Sequence, residues 1–362
     1  MPPHRLEDEG MTMTTLTRSI TGGVDTHLDV HIAAALDERG TLLGVESFAT
    51  NLRGYRQLLT WLESFGEVEL VGVEGTGSYG AGLTRHLHDA KVRVVEIDRP
   101  NRQRRRRRGK SDPEDAVAAA RAAKAGEANG EAKTRDGNVE AMRVMRVARS
   151  SARRARTQAL NQMRSLISTA PEPIREELRY LNVYRLLEHC VAYRPAEKRD
   201  LVSITKRTLK MLAERSVSLE EEIGELDAVL KPLVRVTAPE LIACSGVGTD
   251  VASALLVAAG DNPERLRNEA TFAHLCGVSP IDASSGKHER HRLNRSGDRN
   301  ANSALWHIVI ARVVCDPRTR HYIERRMKEG LTKKEAVRCL KRYVAREVFN
   351  LLPRRHFAID SP

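Results

Sequence analysis

Short alternating runs of apolar and polar residues fill the first hundred positions, and longer stretches with apolar residues three and four apart follow. Strand patterns fall at Ser19–Val24, Val30–Leu36, Leu42–Phe48, Glu69–Glu74 and Val92–Ile97. The first three lie close together, with Glu38-Arg39-Gly40 as a turn signal, and predict an antiparallel meander. Tyr55, Leu58, Leu59 and Leu62 repeat at helical spacing within Leu52–Phe65, and Ala81–Ala90 predicts a second helix. A third helix is expected over Asp112–Ala125. Ser111 suits its N-cap, Pro113 its first turn, and the early carboxylates complement its dipole. Residues 18–126 therefore read as an α/β domain, a mixed sheet with covering helices.

The pattern then changes. Gly126 to Gly137 is rich in glycine, alanine and charge and reads as a linker. Val139–Ser168 is a basic helical stretch that Pro171 and Pro173 interrupt, and a second long helix is expected from about Lys198 to Leu230. Leu219, Ile223, Leu226 and Leu230 recur there at 4-3-4 spacing, a short seam that fits either core packing or pairing with another helix. Residues 127–236 thus form a helical, coiled-coil-like linker. From Pro239 to Asp261 the chain reads helix, Gly246-Val247-Gly248 turn, helix, which fits a helix-hairpin-helix offering backbone N–H groups to phosphate. A plain αα-hairpin is the competing account. The segment 237–352 is mainly helical, interrupted by an irregular stretch at 277–298. Residues 1–17 and 353–362 read as a flexible extension and a tail.

Charge sharpens this picture. The 362-residue chain carries a formal charge of +12, which favours a polyanionic partner. Arg104, Arg105, Arg106, Arg107 and Arg108 stand in a row just before Asp112, as a phosphate-attracting segment or a solvated loop. Arg290, Arg292, Arg295 and Arg299 give the irregular stretch the means to clamp a backbone. Five scattered cysteines, without a Cys-x-x-Cys, read as buried thiols of a reducing cytoplasm. The histidines show no metal-type spacing. No apolar run of membrane-spanning length or signal-peptide core is present, so a cytoplasmic protein without membrane partners is expected.

Four carboxylates give the candidate chemistry. Asp25 and Glu74 end strands, while Asp112 and Asp115 sit three apart at a helix start and so share its face. Oxygens placed this way suit two hard divalent cations about 3.5–4 Å apart, an arrangement that serves phosphodiester chemistry. Ser284 and Ser285, before Gly286, are the hydroxyls of the irregular stretch with an approach to a scissile group.

The Gly-Val-Asp strand, Val-Glu-Gly-Thr-Gly-Ser-Tyr and Lys-Ser-Asp-Pro-Glu-Asp-Ala resemble the DEDD-type insertion-sequence transposases. So do Cys-Ser-Gly-Val-Gly, Leu-Cys-Gly-Val-Ser-Pro-Ile-Asp-Ala-Ser-Ser-Gly-Lys and Leu-Asn-Arg-Ser-Gly-Asp-Arg-Asn-Ala-Asn-Ser-Ala-Leu, in that order. The resemblance covers roughly residues 18–352. It implies a RuvC-like, RNase H-fold N-terminal domain, a helical linker and a C-terminal serine transposase domain. It also implies a composite site: Asp25, Glu74, Asp112 and Asp115 hold Mg2+, with Mn2+ as a substitute, and a serine attacks DNA to form a phosphoserine link. Counted from Pro280, the Pro-x-x-x-x-Ser-Gly pattern places that serine at Ser285, with Ser284 as the fallback. Donor and target DNA, an element-encoded bridge RNA, a homodimer or homotetramer, and association with a bacterial nucleoid follow as implied partners and location. A junction-resolving hydrolytic nuclease shares the four acids, and a catalytically silent nucleic-acid scaffold is the third reading.

Overall fold

The computed structural model describes residues 18–97, 112–127, 130–282 and 291–353. After Arg135 the chain divides into two compact units.

The first unit is built on a mixed five-stranded sheet. Its strands are β1 (Ser19–Thr26), β2 (Val30–Leu36), β3 (Leu42–Ala49), β4 (Glu67–Glu74) and β5 (Arg93–Ile97), in the order β3-β2-β1-β4-β5. The expected meander forms: β1, β2 and β3 pair antiparallel, while β4 and β5 join parallel on the other side of β1. Helix α1 (Leu52–Glu63), capped by the Asn51 side chain, and α2 (Ala81–Asp89) cover one face. There Leu58, Leu62, Leu83 and Leu87 pack with Ile20, Val24, Val71 and Val73.

Helix α3 (Asp112–Lys124) lies on the opposite face. Its buried side chains are alanines: Ala116, Ala119, Ala120 and Ala123. The strands beneath it present glycine. A Cβ on Gly23 would stand 2.1 Å from the Ala120 nitrogen, and one on Gly72 would stand 2.8 Å from the Ala123 Cβ. Helix backbone and sheet backbone therefore touch, which fixes the height of α3 over β1 and β4 more tightly than larger side chains would. Residues 130–132 run along the β5 edge, with a Val95–Glu131 bridge and a hydrogen bond from the Ala132 amide to the Val94 carbonyl (3.1 Å). Part of the glycine-rich stretch is thus fastened to the sheet.

The second unit is helical. Helix α4 (Asn138–Ser168) and a later long helix, Leu201–Thr237, lie antiparallel. Their facing side chains include the Arg149–Asp227 ion pair (2.6 Å) and the Arg156–Glu220 pair. Between them in sequence come α5 (Glu172–Leu178) and α6 (Val183–Val191), so the long helix is α7. Ile174, Leu178, Leu186 and Leu187 close the end of the hairpin against Met163, Ile167 and Leu209. This gives 171–200, which carries no signal of chemistry, a packing role. Helix α7 continues past the expected end at Leu230, with Pro232 inside it, because Leu230 and Val234 are buried in the C-terminal core. That burial outweighs the lost proline hydrogen bond.

The C-terminal core gathers α8 (Pro239–Ala243), α9 (Thr249–Ala259), α10 (Glu269–Leu275), α11 (Arg299–Cys315), α12 (Pro317–Lys328) and α13 (Lys333–Asn350). No helix among the described residues is long and apolar enough to cross a membrane. Of the five cysteines, Cys190 and Cys276 are buried as expected, whereas Cys244 and Cys339 are half-buried and Cys315 is exposed.

One tertiary contact stands in for a local signal. Gly137 precedes α4 and has no side chain to cap it. Asp261 supplies the cap from more than a hundred residues away: its carboxylate accepts the Val139 amide (2.8 Å) and the Glu140 amide (3.0 Å). A Cβ at Gly137 would strike that carboxylate at 2.4 Å. Asp261→Ala is expected to cost about 1–2 kcal/mol, read as a lower thermal unfolding midpoint. An unchanged midpoint would show that α4 needs no cap.

Candidate functional site

Val24 of β1 and Val73 of β4 are partners in the parallel register, so Asp25 and Glu74 come next on neighbouring strands. Both valines point into the α1/α2 core. Side chains alternate along a strand, so Asp25 and Glu74 turn to the α3 face. There α3 sits with Ala116 and Ala120 over Gly23. Asp112 and Asp115 lie a turn nearer its N-terminus and face the strand ends. Thr26 ties the two strand ends together by donating to the Glu74 carbonyl (2.8 Å). Gly75 then turns the chain at φ +69, and a Cβ on Gly80 would crowd Val73 (3.0 Å), Thr26 (3.1 Å) and the Glu74 carbonyl (3.2 Å).

Asp25 is 5% exposed, and burial pushes its carboxyl up from the ordinary 3.8 to about 6. Negative charge from Glu74, Asp115 and Asp112 pushes the same way, and His27 opposes it. Glu74, Asp112 and Asp115 thus all lie near enough to act on Asp25. His27 was not expected. Its Nδ1 lies 3.8 Å from Asp25 Oδ2 and its Nε2 lies 3.8 Å from Asp112 Oδ1. Asp25, His27 and Asp112 bring ligand atoms within 4.8 Å of one another, a grouping able to hold a metal ion. The buried Asp25 Oδ2 makes no hydrogen bond. A desolvated carboxylate oxygen with no donor, ringed by further acids, fits a hard divalent cation. His27 left no spacing signal in the sequence because it follows the end of β1, where strand periodicity stops. Searching for donors in the two residues after each strand-end acid would have found it.

The other expected site residues belong to the second unit or lie outside the described residues. Arg104–Arg108, Ser284, Ser285 and Arg290 are in the latter group. The base of the segment carrying Ser285 is described. Two short strands, β6 (Ile281–Asp282) and β7 (His291–Arg292), pair antiparallel on either side of it. Gly277 and Gly297 are in close contact, since a Cβ on Gly297 would lie 2.2 Å from the Gly277 nitrogen. Asn302 donates to the Cys276 carbonyl (2.8 Å) and the Gly277 carbonyl (3.1 Å), and Lys341 donates to Asn302 Oδ1 (2.8 Å). Buried Asn294 accepts the Ser296 amide (3.0 Å). The stretches on either side of this segment are therefore clasped to each other. Arg292, Arg295 and Arg299 are exposed. At the glycine turn, Gly246 has φ +79 and packs on α11, where a Cβ would meet the Ile308 carbonyl at 3.0 Å, while Gly248 has open space above it. Arg312 braces this turn by donating to the Ser245 carbonyl (2.8 Å).

Two family models match successive stretches of the chain, the first of them reaching past Arg135 into the second unit. Residues 22–170 match a family model for the DEDD domain of IS110 elements, described as a transposase. Residues 238–324 match a second one, described as the transposase IS116/IS110/IS902 family. The insertion element IS110 uncharacterized 43.6 kDa protein of Streptomyces coelicolor is 30% identical over 145 residues, which is 39% of this chain and 35% of that protein. The insertion element IS900 uncharacterized 42 kDa protein of Mycobacterium paratuberculosis is 26% identical over 134 residues, 36% of this chain and 34% of its own length. The matches span about a third of each relative. One match runs from β1 through α4 and the other from α8 into α12, so these two stretches are similar, in order, to two domains of IS110-type transposases.

Proposed function

We propose that this chain is the transposase of an insertion element, cutting and rejoining DNA with two sets of groups. The observation that carries the reading is the convergence of Asp25 with Glu74, Asp112 and Asp115 in a domain of transposase type. Asp25, Glu74, Asp112 and Asp115, with His27 beside them, would hold Mg2+ on an RNase H-like sheet. Bound there, divalent metal supplies Lewis-acid stabilisation of charge at phosphorus. The acids' own task is to fix the position of the phosphodiester through that site and to keep it on the α3 side of the sheet.

Ser285, with Ser284 as fallback, is the proposed nucleophile. Its Oγ forms a bond to phosphorus as one deoxyribose oxygen leaves and takes up a proton. A hydroxyl from the other strand then displaces the serine, which recovers its proton. One P–O bond is made for each one broken, so rejoining needs no outside energy source. The clasp between Gly277 and Gly297 supports this role, because it anchors both ends of the serine-bearing segment on α10 and α11. An element-encoded RNA that pairs with donor and target DNA would place sequence choice in base pairing. Two DNAs joined in one reaction favour a dimer or tetramer.

Ser285→Ala separates recombination from hydrolysis. Covalent protein–DNA adducts and strand exchange are expected to vanish, by at least ~1,000-fold, while metal-dependent nicking by the acid site persists. Strand exchange at the wild-type rate would overturn the serine reading. Loss of adducts only with Ser284→Ala would move the role one residue.

A further inference from the structure

Helix α4 carries a row of arginines that the proposed active site does not use. Arg146, Arg149, Arg153 and Arg154 line one wall of a cleft of about 430 Å3 within the second unit. The opposite wall is the N-terminal half of α11, with Asn300, Ser303 and His307. Among the residues that line the cleft, Asp250 is the acid. It accepts Arg146 (3.0 Å) and Arg149 (2.9 Å) and lies 4.0 Å from Arg153. Arg149 has a second carboxylate, Asp227, but Arg146 and Arg153 share Asp250, and Arg154 donates to the Ser150 carbonyl (3.2 Å). Positive charge in the cleft therefore exceeds negative. Arg153 and Arg154 are exposed, so their surplus faces solvent and an incoming anion.

The spacing selects the kind of anion. Arg146, Arg149 and Arg153 lie at i, i+3 and i+7, so they follow one helix face for about 10 Å. Charges on a nucleic-acid strand repeat about every 3.4 Å of axis, so such a row spans about three charge spacings, where a small anion would engage one end. The far wall adds the side-chain donors of Asn300 and Ser303, and Trp306 next to His307 is 43% exposed with a ring that bases can stack on. We infer that this cleft is a binding track for the phosphodiester backbone of a nucleic-acid strand, with Asp250 holding the guanidiniums in line until phosphate arrives. This rests on the transposase reading for its partner but not on any chemical step.

The test is binding of the full chain to one labelled oligonucleotide, made as single-stranded DNA, duplex DNA and RNA, between ~50 and ~200 mM salt. Arg153→Gln/Arg154→Gln is expected to weaken binding roughly tenfold and make the salt slope shallower by about one to two. Arg153→Lys/Arg154→Lys is expected to retain the slope, and Asp250→Asn to tighten binding. An effect on all three probes supports a shared backbone track; an effect confined to RNA or to DNA supports it and names the strand. Unchanged affinity and slope for the glutamine variant would overturn the track while leaving the transposase reading intact. Wild-type protein that binds none of the probes would overturn both.

Discussion

Gly23→Ala is expected to destabilise the N-terminal unit by about 3 kcal/mol, near the upper end of overpacking costs, and to lower its unfolding midpoint by roughly 10 °C. Alanine is ordinarily the better strand residue, by about 0.5–1 kcal/mol over glycine, so the sign of the result is diagnostic. The new methyl would come 2.1 Å from the Ala120 nitrogen and 2.4 Å from the Ala116 carbonyl oxygen. Those are backbone atoms and cannot rotate aside. Helix α3 must lift, carrying Asp112 and Asp115 away from Asp25, so metal affinity should fall along with stability. Gly22→Ala is the matched control. Its methyl would meet the ends of the Leu62 and Val71 side chains at 3.0 and 3.2 Å on the other face, and these can give. Equal midpoints for the two variants, by calorimetry, would show that the glycine–alanine contact does not set the height of α3.

Asp25→Asn is expected to abolish metal-dependent DNA cleavage, by at least ~1,000-fold, while making the metal-free protein more stable. A carboxyl raised from 3.8 to about 6 ionises less readily in the fold than in the unfolded chain. At neutral pH its buried charge therefore costs about 3 kcal/mol, which asparagine removes without changing shape. The direction with pH follows. Between about 4 and 6 the folded wild type binds more protons than the unfolded chain, so its stability falls as pH rises through that window. Thermal melts in chelator should show the variant ahead at pH 7.5 and the gap closing as pH approaches 4. A variant less stable than wild type at pH 7.5, or one that still cleaves DNA, would remove Asp25 from the site.

What the sequence revealed depended on whether the signal was local. Val30–Leu36 and the Asp112 helix start were legible because a short apolar run and a first-turn proline are written in neighbouring residues, while the Ser111 cap lies outside the described residues. The four acids were legible because two ended strands and two shared a helix face. The remaining features depend on partners distant in sequence. Gly23 and Gly72 are ordinary strand glycines until α3 is laid over them. Asp261 is a loop acid until it is found capping α4. Pro232 is a local stop signal, yet helix α7 runs past Leu230, because the burial of Val234 is a tertiary effect. His27 became visible only when Asp112 was placed within reach of its far nitrogen.

The order in which the acids occur along the chain has a consequence for synthesis. Asp25 and Glu74 emerge with the sheet, whereas Asp112 and Asp115 follow nearly forty residues later on the helix that covers it. At about 5–20 residues per second, a growing chain spends roughly two to eight seconds with half of its carboxylates in place. The sheet can pair in that interval, but its Gly23 and Gly72 remain uncovered and no cation site is complete. A chain released before α3 would lack Asp112 and Asp115 and the cover over Gly23 and Gly72. On the proposed reading, the site would therefore be completed by the last described helix of the N-terminal unit, after the sheet that carries its first two acids.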